Sequence, residues 1–313
     1  MASSHTIHRH RHHFGWDNAN LPVLEVGPGD TVEFETVDSS GAQLSASSTL
    51  ANLAALDFGK VNPVTGPVRV AGAEPGDALK ATILSFQPSG WGWTANIPGF
   101  GLLADQFPEP ALHIWKYDPS SLAPAVYGPG GRVPLRPFAG TIGLAPAEPG
   151  PHSIVPPSRW GGNMDIKHLR AGTTLLLPIG VEGALFSVGD THSAMGDAEV
   201  CGTAVETAMD ITLRLSLRRG LDLPAPQYRV PAGELARTQQ SAYHVCTGVA
   251  PDLMEATRQA TRALVEHLAD VRGLDWAEAY ALCSVAADLR VHEVVDAPNW
   301  LVGAFIPDDI FTS

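Results

Sequence analysis

The segment Gly183-Ala-Leu-Phe-Ser-Val-Gly-Asp190-Thr-His192-Ser-Ala-Met-Gly196-Asp197-Ala-Glu199-Val gathers the side chains of this chain best suited to chemistry. An apolar run ends in a glycine, and acid, imidazole, acid and acid follow. At i and i+2 in extended backbone, Asp190 and His192 point to one face. A carboxylate beside an imidazole is a common start for a divalent-metal site or for acid–base work. The same residues also suit a polar turn around a hydrogen-bonded histidine.

Such a cluster needs a scaffold, and the composition describes one. The chain has 313 residues, 44% of them hydrophobic and 17% charged, enough for a sizeable core. Its formal net charge is −13, with no stripe of Lys and Arg, which argues against nucleic acid and anionic membranes as partners. No apolar run is long enough to span a bilayer, and the N-terminus lacks the apolar core of a secretory signal. Cys201, Cys246 and Cys283 are far apart without C-x-x-C spacing, which suits reduced thiols in a cytoplasmic protein. The His-rich start (His5, His8, His10, His12, His13) is interrupted by Arg9 and Arg11, as in a native arm able to bring one histidine near a site.

Abundant Gly and Pro punctuate short runs of Val, Leu, Ile and Thr, the pattern of an all-β sandwich or barrel. Gly27-Pro-Gly-Asp30, Glu74-Pro-Gly-Asp77 and Arg170-Ala-Gly172 each precede a strand-like run. Residues 86 to 162 read as long, anchored loops and short strands. Beyond residue 235 the pattern changes. Residues 251–270 have helical spacing, with Leu253, Ala256, Ala260, Leu264 and Leu268 near one face, Asp252 at the start and Gly273 at the close. A second helix is expected over 275–289 with Trp276, Ala279, Leu282, Cys283 and Ala286 inward, then strands at 291–296 and 300–306. The division expected is a β core over 1–235 and a C-terminal α/β module over 236–313.

Several separated segments together resemble the acetamidase/formamidase family. They include Phe14-Gly-Trp-Asp-Asn18, Val26 to Thr36, Asn62 to Pro67 with Gly72 to Asp77, and Trp91-Gly-Trp93 with Pro98-Gly-Phe-Gly101. Further along come Pro137 to Gly143, Gly161-Gly-Asn-Met-Asp165, Gly183 to Asp190 with His192, Gly202 to Glu206, and Leu282 to Arg290. The resemblance implies hydrolysis of a short aliphatic amide to carboxylate and ammonia. It also implies a mainly β fold, a jelly-roll-like β-sandwich core with a C-terminal α/β portion, and a homo-oligomer. One departure stands out: the family's Gln-Gly-Asp-Gly-Glu reads Met195-Gly-Asp-Ala-Glu199 here, so Ala198 is strained if the backbone there needs positive φ.

Water attack on an amide needs a source of hydroxide, stabilisation of the oxyanion and a proton for the leaving amine. A bound divalent ion serves the first two. The expected metal ligands are Asp165, Asp190 and His192, although Asp165 also suits a turn cap. Zinc fits Asp plus His, and a more carboxylate-rich sphere would suit calcium or magnesium. Glu199 is the candidate general base, Glu206 its substitute or a sheet-edge charge, and Glu74 an acid behind the site or a turn residue. Trp16, Asn18, Trp91, Trp93 and Phe100 are candidate walls of a substrate pocket, or fillers of loop cores. His152 and His168 read as solvent or core-edge histidines. No Gly-x-Ser-x-Gly elbow is present, and Cys201 follows an acidic stretch that discourages a thiolate. Two other functions stay open: a β-sandwich binding module with a structural metal, and a hydrolase of a larger amide.

Overall fold

The computed structural model describes the chain except residues 1, 103, 106, 128–130, 200, 233–241, 275, 277–278, 280–286 and 312–313. Two sheets face one another. A nine-stranded sheet runs in the order Ser4–Ile7, Thr31–Glu35, Met209–Arg218, Ala78–Pro88, Thr174–Pro178, Gln227–Val230, Tyr243–Ala250, Trp300–Pro307 and Asp288–Glu293. The seven-stranded sheet includes Gly161–Asn163, Phe138–Gly143, Phe186–His192, Val64–Val70 and His12–His13, in that order. The fold is mainly β. Its principal core fills the space between the sheets, with Phe34, Leu79, Ile83 and Leu213 from one meeting Val68, Ile142, Phe186 and Val188 from the other. Period-2 alternation explains this layering, since each strand gives every second side chain to the shared interior.

The turns read from sequence lie where expected. Those ending at Asp30 and Asp77 lead into Thr31–Glu35 and Ala78–Pro88. Asp30 Oδ2 accepts from Gly27 N at 2.9 Å, closing its turn, while Asp77 Oδ1 accepts from Gly220 N at 2.9 Å and ties its turn to a neighbour. The N-terminal histidines serve the scaffold: His5 bonds Asp30, His8 bonds Glu35 and His13 bonds Ser187.

The long helix spans Leu253–Arg272, capped by Asp252, whose carboxylate accepts from Glu255 N at 2.8 Å, and closed by left-handed Gly273. It covers the outer face of the strands Tyr243–Ala250 and Trp300–Pro307. Leu301 and Phe305 turn into the main core, whereas Val302, Ala304 and Ile306 meet Ala256, Ala260 and Leu264 of the helix. Leu253, expected on the inward face, is exposed because it opens the first turn beyond the contact. The helix expected over 275–289 lies largely outside the described residues. Trp276 is exposed rather than inward, and Asp288 and Leu289 belong to a strand. Strands from both sides of residue 235 share the nine-stranded sheet, Gln227 pairing with Cys246. Among the described residues no helix is long and apolar enough to cross a membrane.

Gly248 sets how closely helix and sheet approach, because a methyl group there would collide with the main chain at Ala256 and Ala260. Gly248→Ala is expected to cost about 1–3 kcal/mol through overpacking, read as a lower Tm in a thermal melt; an unchanged Tm would contradict this packing.

Candidate active site

Three unrelated pieces of backbone deliver the central acids, and each does so in a left-handed conformation. Asp190 has φ 47°, Asp165 φ 46° and Glu199 φ 46°. Non-glycine residues rarely adopt this region, and such strain gathers where surrounding structure fixes a functional geometry. The sequence argument that Asp190 and His192 share a face through plain extended backbone therefore needs correction. They do meet, His192 Nε2 lying 3.1 Å from Asp190 Oδ1, but through the positive φ of Asp190 inside the strand Phe186–His192. Ala198 adopts φ 74°, so the residue that departs from the family's glycine carries the expected strain.

Around His192 the carboxylates close in. Glu206 Oε2 lies 3.1 Å from Nε2, and Asp165 Oδ1 lies 3.8 Å from Nδ1. Three sets of donors each lie within 4.8 Å of one another: Asp165, Asp190 and His192; His192, Glu199 and Glu206; and Asp165, Glu199 and Asp296. All six residues are buried. Gly140 makes room for them, since a Cβ there would stand 2.5 Å from Asp165 Oδ1 and 2.7 Å from His192 Cε1.

Supporting contacts hold the acids in place. The single hydroxyl proton of Thr141 serves two acceptors within reach, Asn163 Oδ1 at 2.6 Å and Asp190 Oδ2 at 3.1 Å, and Asn163 Nδ2 donates to Asp296 Oδ2 at 2.6 Å. Glu206 accepts from Ser39 Oγ at 2.6 Å and from Ala204 N at 2.7 Å. Asp38 accepts from Trp93 Nε1 at 3.0 Å and fixes that indole. Neither oxygen of Asp165 nor Nδ1 of His192 meets a hydrogen-bond partner among the described residues, although all three atoms are buried.

Electrostatics follow from this crowding. Burial pushes the carboxyls of Asp165, Glu199 and Asp296 well above the usual carboxylate range, and neighbouring acids add to the shift. Glu206 is also raised, chiefly by burial. Burial works to raise Asp190 too, yet the charge and hydrogen bond of His192 bring it below its ordinary value. His192 is the counterpart: burial opposes its charge, but Glu206 and Asp190 hold its pKa well above the usual imidazole value.

A cavity of about 370 Å³ opens onto the cluster. Asp190, Glu199, Glu206 and Asp296 form its polar floor, Ser39, Ser40 and Trp93 stand in the wall, and Phe58 and Phe100 stand towards the apolar side. Of the residues singled out in the sequence, the structure thus brings together Asp165, Asp190, His192, Glu199 and Glu206, with Trp93 and Phe100 lining the approach. Glu206 is buried and is no sheet-edge charge.

Others lie elsewhere. Glu74 is exposed on the turn before Ala78–Pro88, because that turn faces solvent. Trp16 packs in a small core with Val64 and Ile154, and Asn18 spends its amide on the carbonyls of Pro146, Ala147 and Glu148. His152 bonds a main-chain carbonyl at Glu148, and His168 is buried against Phe305. Sequence reasoning gave no role to Asp38, Ser39, Thr141, Asn163 or Asp296. Thr141 and Asn163 sit inside two of the family-like segments, whereas Asp296 carries no spacing signal.

A β-sandwich with a buried carboxylate–imidazole centre at the floor of a small cavity has the makings of a hydrolase. The model of the Acetamidase/Formamidase family matches residues 2–154 and 147–313, so the chain belongs to that family and is an amidohydrolase acting on linear amide C–N bonds. The crystal structure of an acetamidase from Bacillus halodurans superposes with a TM-score of 0.88 at 32% identity, covering 98% of each chain. A formamidase from Methylophilus methylotrophus is 26% identical over 96% of this chain and 89% of its own. An acetamidase from Mycolicibacterium smegmatis is 28% identical over 66% of each.

The raised pKa values carry a consequence for stability. Asp165, Glu199 and Asp296 keep protons in the folded chain that the unfolded chain releases from about pH 4 upward, and His192 likewise holds its proton above its unfolded value. The native state therefore binds more protons than the unfolded state, and stability from these groups falls as pH rises. His168, His244 and His292, whose pKa values burial lowers, act in the opposite sense, so the cluster's own share is read as the Tm of the chelated protein minus that of chelated Asp165→Asn. This difference is expected to fall as pH rises above the ordinary carboxylate range; a difference that does not change with pH would contradict the protonated cluster.

Proposed function

We propose that this amidohydrolase cleaves short aliphatic primary amides, of the formamide and acetamide kind, to carboxylate and ammonia. We further propose that Asp165, Asp190 and His192 hold a divalent cation that takes part. One observation carries the reading: buried acids crowd one imidazole beside a cavity, and the oxygens of Asp165 and Nδ1 of His192, 3.8 Å apart at their nearest, make no hydrogen bond among the described residues. Burying polar atoms without partners costs free energy, more so near like charges, and a cation removes that cost. The donor set fits one.

A bound divalent ion would polarise an amide carbonyl and lower the pKa of a water. The chain's own residues carry the rest. Glu199 lines the cavity, its carboxylate lies within 4.8 Å of donor atoms of His192 and Glu206, and burial raises its pKa. These properties suit it to accept a proton from the attacking water and return it to the departing nitrogen. Glu206 is tied down by Ser39 and Ala204, which suits a fixed charge better than a proton shuttle. Asp190 plays a similar fixed part, held by Thr141.

Zinc is the ion proposed, since Asp165, Asp190 and His192 supply mixed carboxylate and imidazole donors. Asp165, Glu199 and Asp296 form an all-carboxylate alternative that suits calcium or magnesium. A cytoplasmic homo-oligomer completes the reading: Cys201 is unbridged, as suits a reducing compartment, and the family resemblance carries the oligomer.

The test is ammonia release from formamide, acetamide and propionamide, with elemental analysis of the same preparation. Chelation is expected to abolish release, and the fitting ion to restore it. Glu199→Gln is expected to lower kcat by about 10²–10⁴-fold, while Glu74→Ala leaves it unchanged. Full activity after exhaustive chelation would remove the cation from the reaction, and full activity of Glu199→Gln would remove Glu199 as the base.

A further inference from the structure

The space above the acids is much larger than formamide or acetamide requires. At about 30 Å³ per water-sized unit, a four-heavy-atom amide fills roughly 100 Å³, against a cavity of about 370 Å³. Much of the lining beyond the acids is apolar: Leu56, Phe58, Val61, Ile97, Phe100 and Val155 all face the cavity. Phe58 and Phe100 stack with ring centroids 6.4 Å apart, yet stand 53% and 36% exposed. Large apolar side chains left open beside a polar floor are a feature of small-molecule sites that take an amphipathic ligand.

Resting on the amidase reading but carrying its substrate range beyond formamide and acetamide, we propose that this site favours primary amides whose acyl chain is apolar and longer than that of acetamide, with Phe58 and Phe100 as the residues that determine specificity. Orientation follows from the chemistry of the floor. The departing nitrogen must receive a proton, so it faces Glu199; the acyl substituent then takes the remaining direction, along the apolar wall. Trp93 stiffens the base of that wall, because Asp38 fixes its indole. Anionic acyl chains are disfavoured by the buried carboxylates below.

A series of primary amides from formamide through propionamide to hexanamide, assayed for ammonia, tests this. Specificity, kcat/KM, is expected to rise about fourfold per added methylene, the equivalent of about 0.8 kcal/mol per buried CH₂. Phe58 lies on the surface in a short 3-10 turn, Phe58–Lys60, so its replacement leaves the core intact. In Phe58→Ala and Phe100→Ala the hexanamide-to-formamide ratio of kcat/KM is expected to fall at least about tenfold, two of those methylene steps. A level or falling series with good formamide turnover overturns the chain-length proposal and leaves the amidase reading standing. N-alkyl amides outpacing the acyl series overturn the orientation. Ammonia from none of these amides overturns the amidase reading itself.

Discussion

Everything at this site answers to one constraint: carboxyl groups gathered where little water can screen their charge. Asp165, Asp190, Glu199, Glu206 and Asp296 are buried around a single imidazole. Their mutual repulsion in a low-dielectric interior is far stronger than in water. Protons relieve it in part, as the raised pKa values of Asp165, Glu199 and Asp296 indicate, and the pairing of Asp190 with His192 relieves it further. The unpartnered oxygens of Asp165 mark where a cation would relieve it most.

The sandwich exists, from this viewpoint, to make that crowding affordable. Strand Phe186–His192 sits between Phe138–Gly143 and Val64–Val70; the ladder to Val64–Val70 ends at Gly189, just before Asp190, and the ladder to Phe138–Gly143 runs on to His192, opposite Phe138. Gly140, on the neighbouring strand, leaves the side-chain space that the acids occupy. The positive φ values of Asp165, Asp190 and Glu199 are backbone strain, of the order of 1–3 kcal/mol each, that the surrounding packing must offset. Directed acids and a bare glycine thus belong to the same device.

Much of this was legible in the sequence, for physical reasons. Pro-Gly-Asp turns feeding alternating runs mark the sheets, and Asp252 and Gly273 bracket the long helix. Asp190, His192, Glu199 and Glu206 stand out in the sequence because they crowd one stretch of chain, and the fold brings them together. Asp165 was found through the glycines before it. Asp296 and Ser39 were not, because they reach the site by tertiary folding alone and no local spacing betrays them. Trp16 and Asn18 were placed at the pocket on residue type, but an indole and an amide serve loop cores equally well, and here they do. Glu74 lies away from the cluster for a related reason: a Pro-Gly turn puts its flanking acid into solvent.

The central claim is that the buried acids exchange protons for a cation, and proton counting tests it most directly. Calorimetric titration of the chelated protein with zinc, at one pH in two buffers of different ionisation enthalpy, measures the protons released per ion bound. The account predicts saturable binding of one ion with net proton release. Absence of binding by zinc, calcium and magnesium alike, or binding with no protons released, would contradict it.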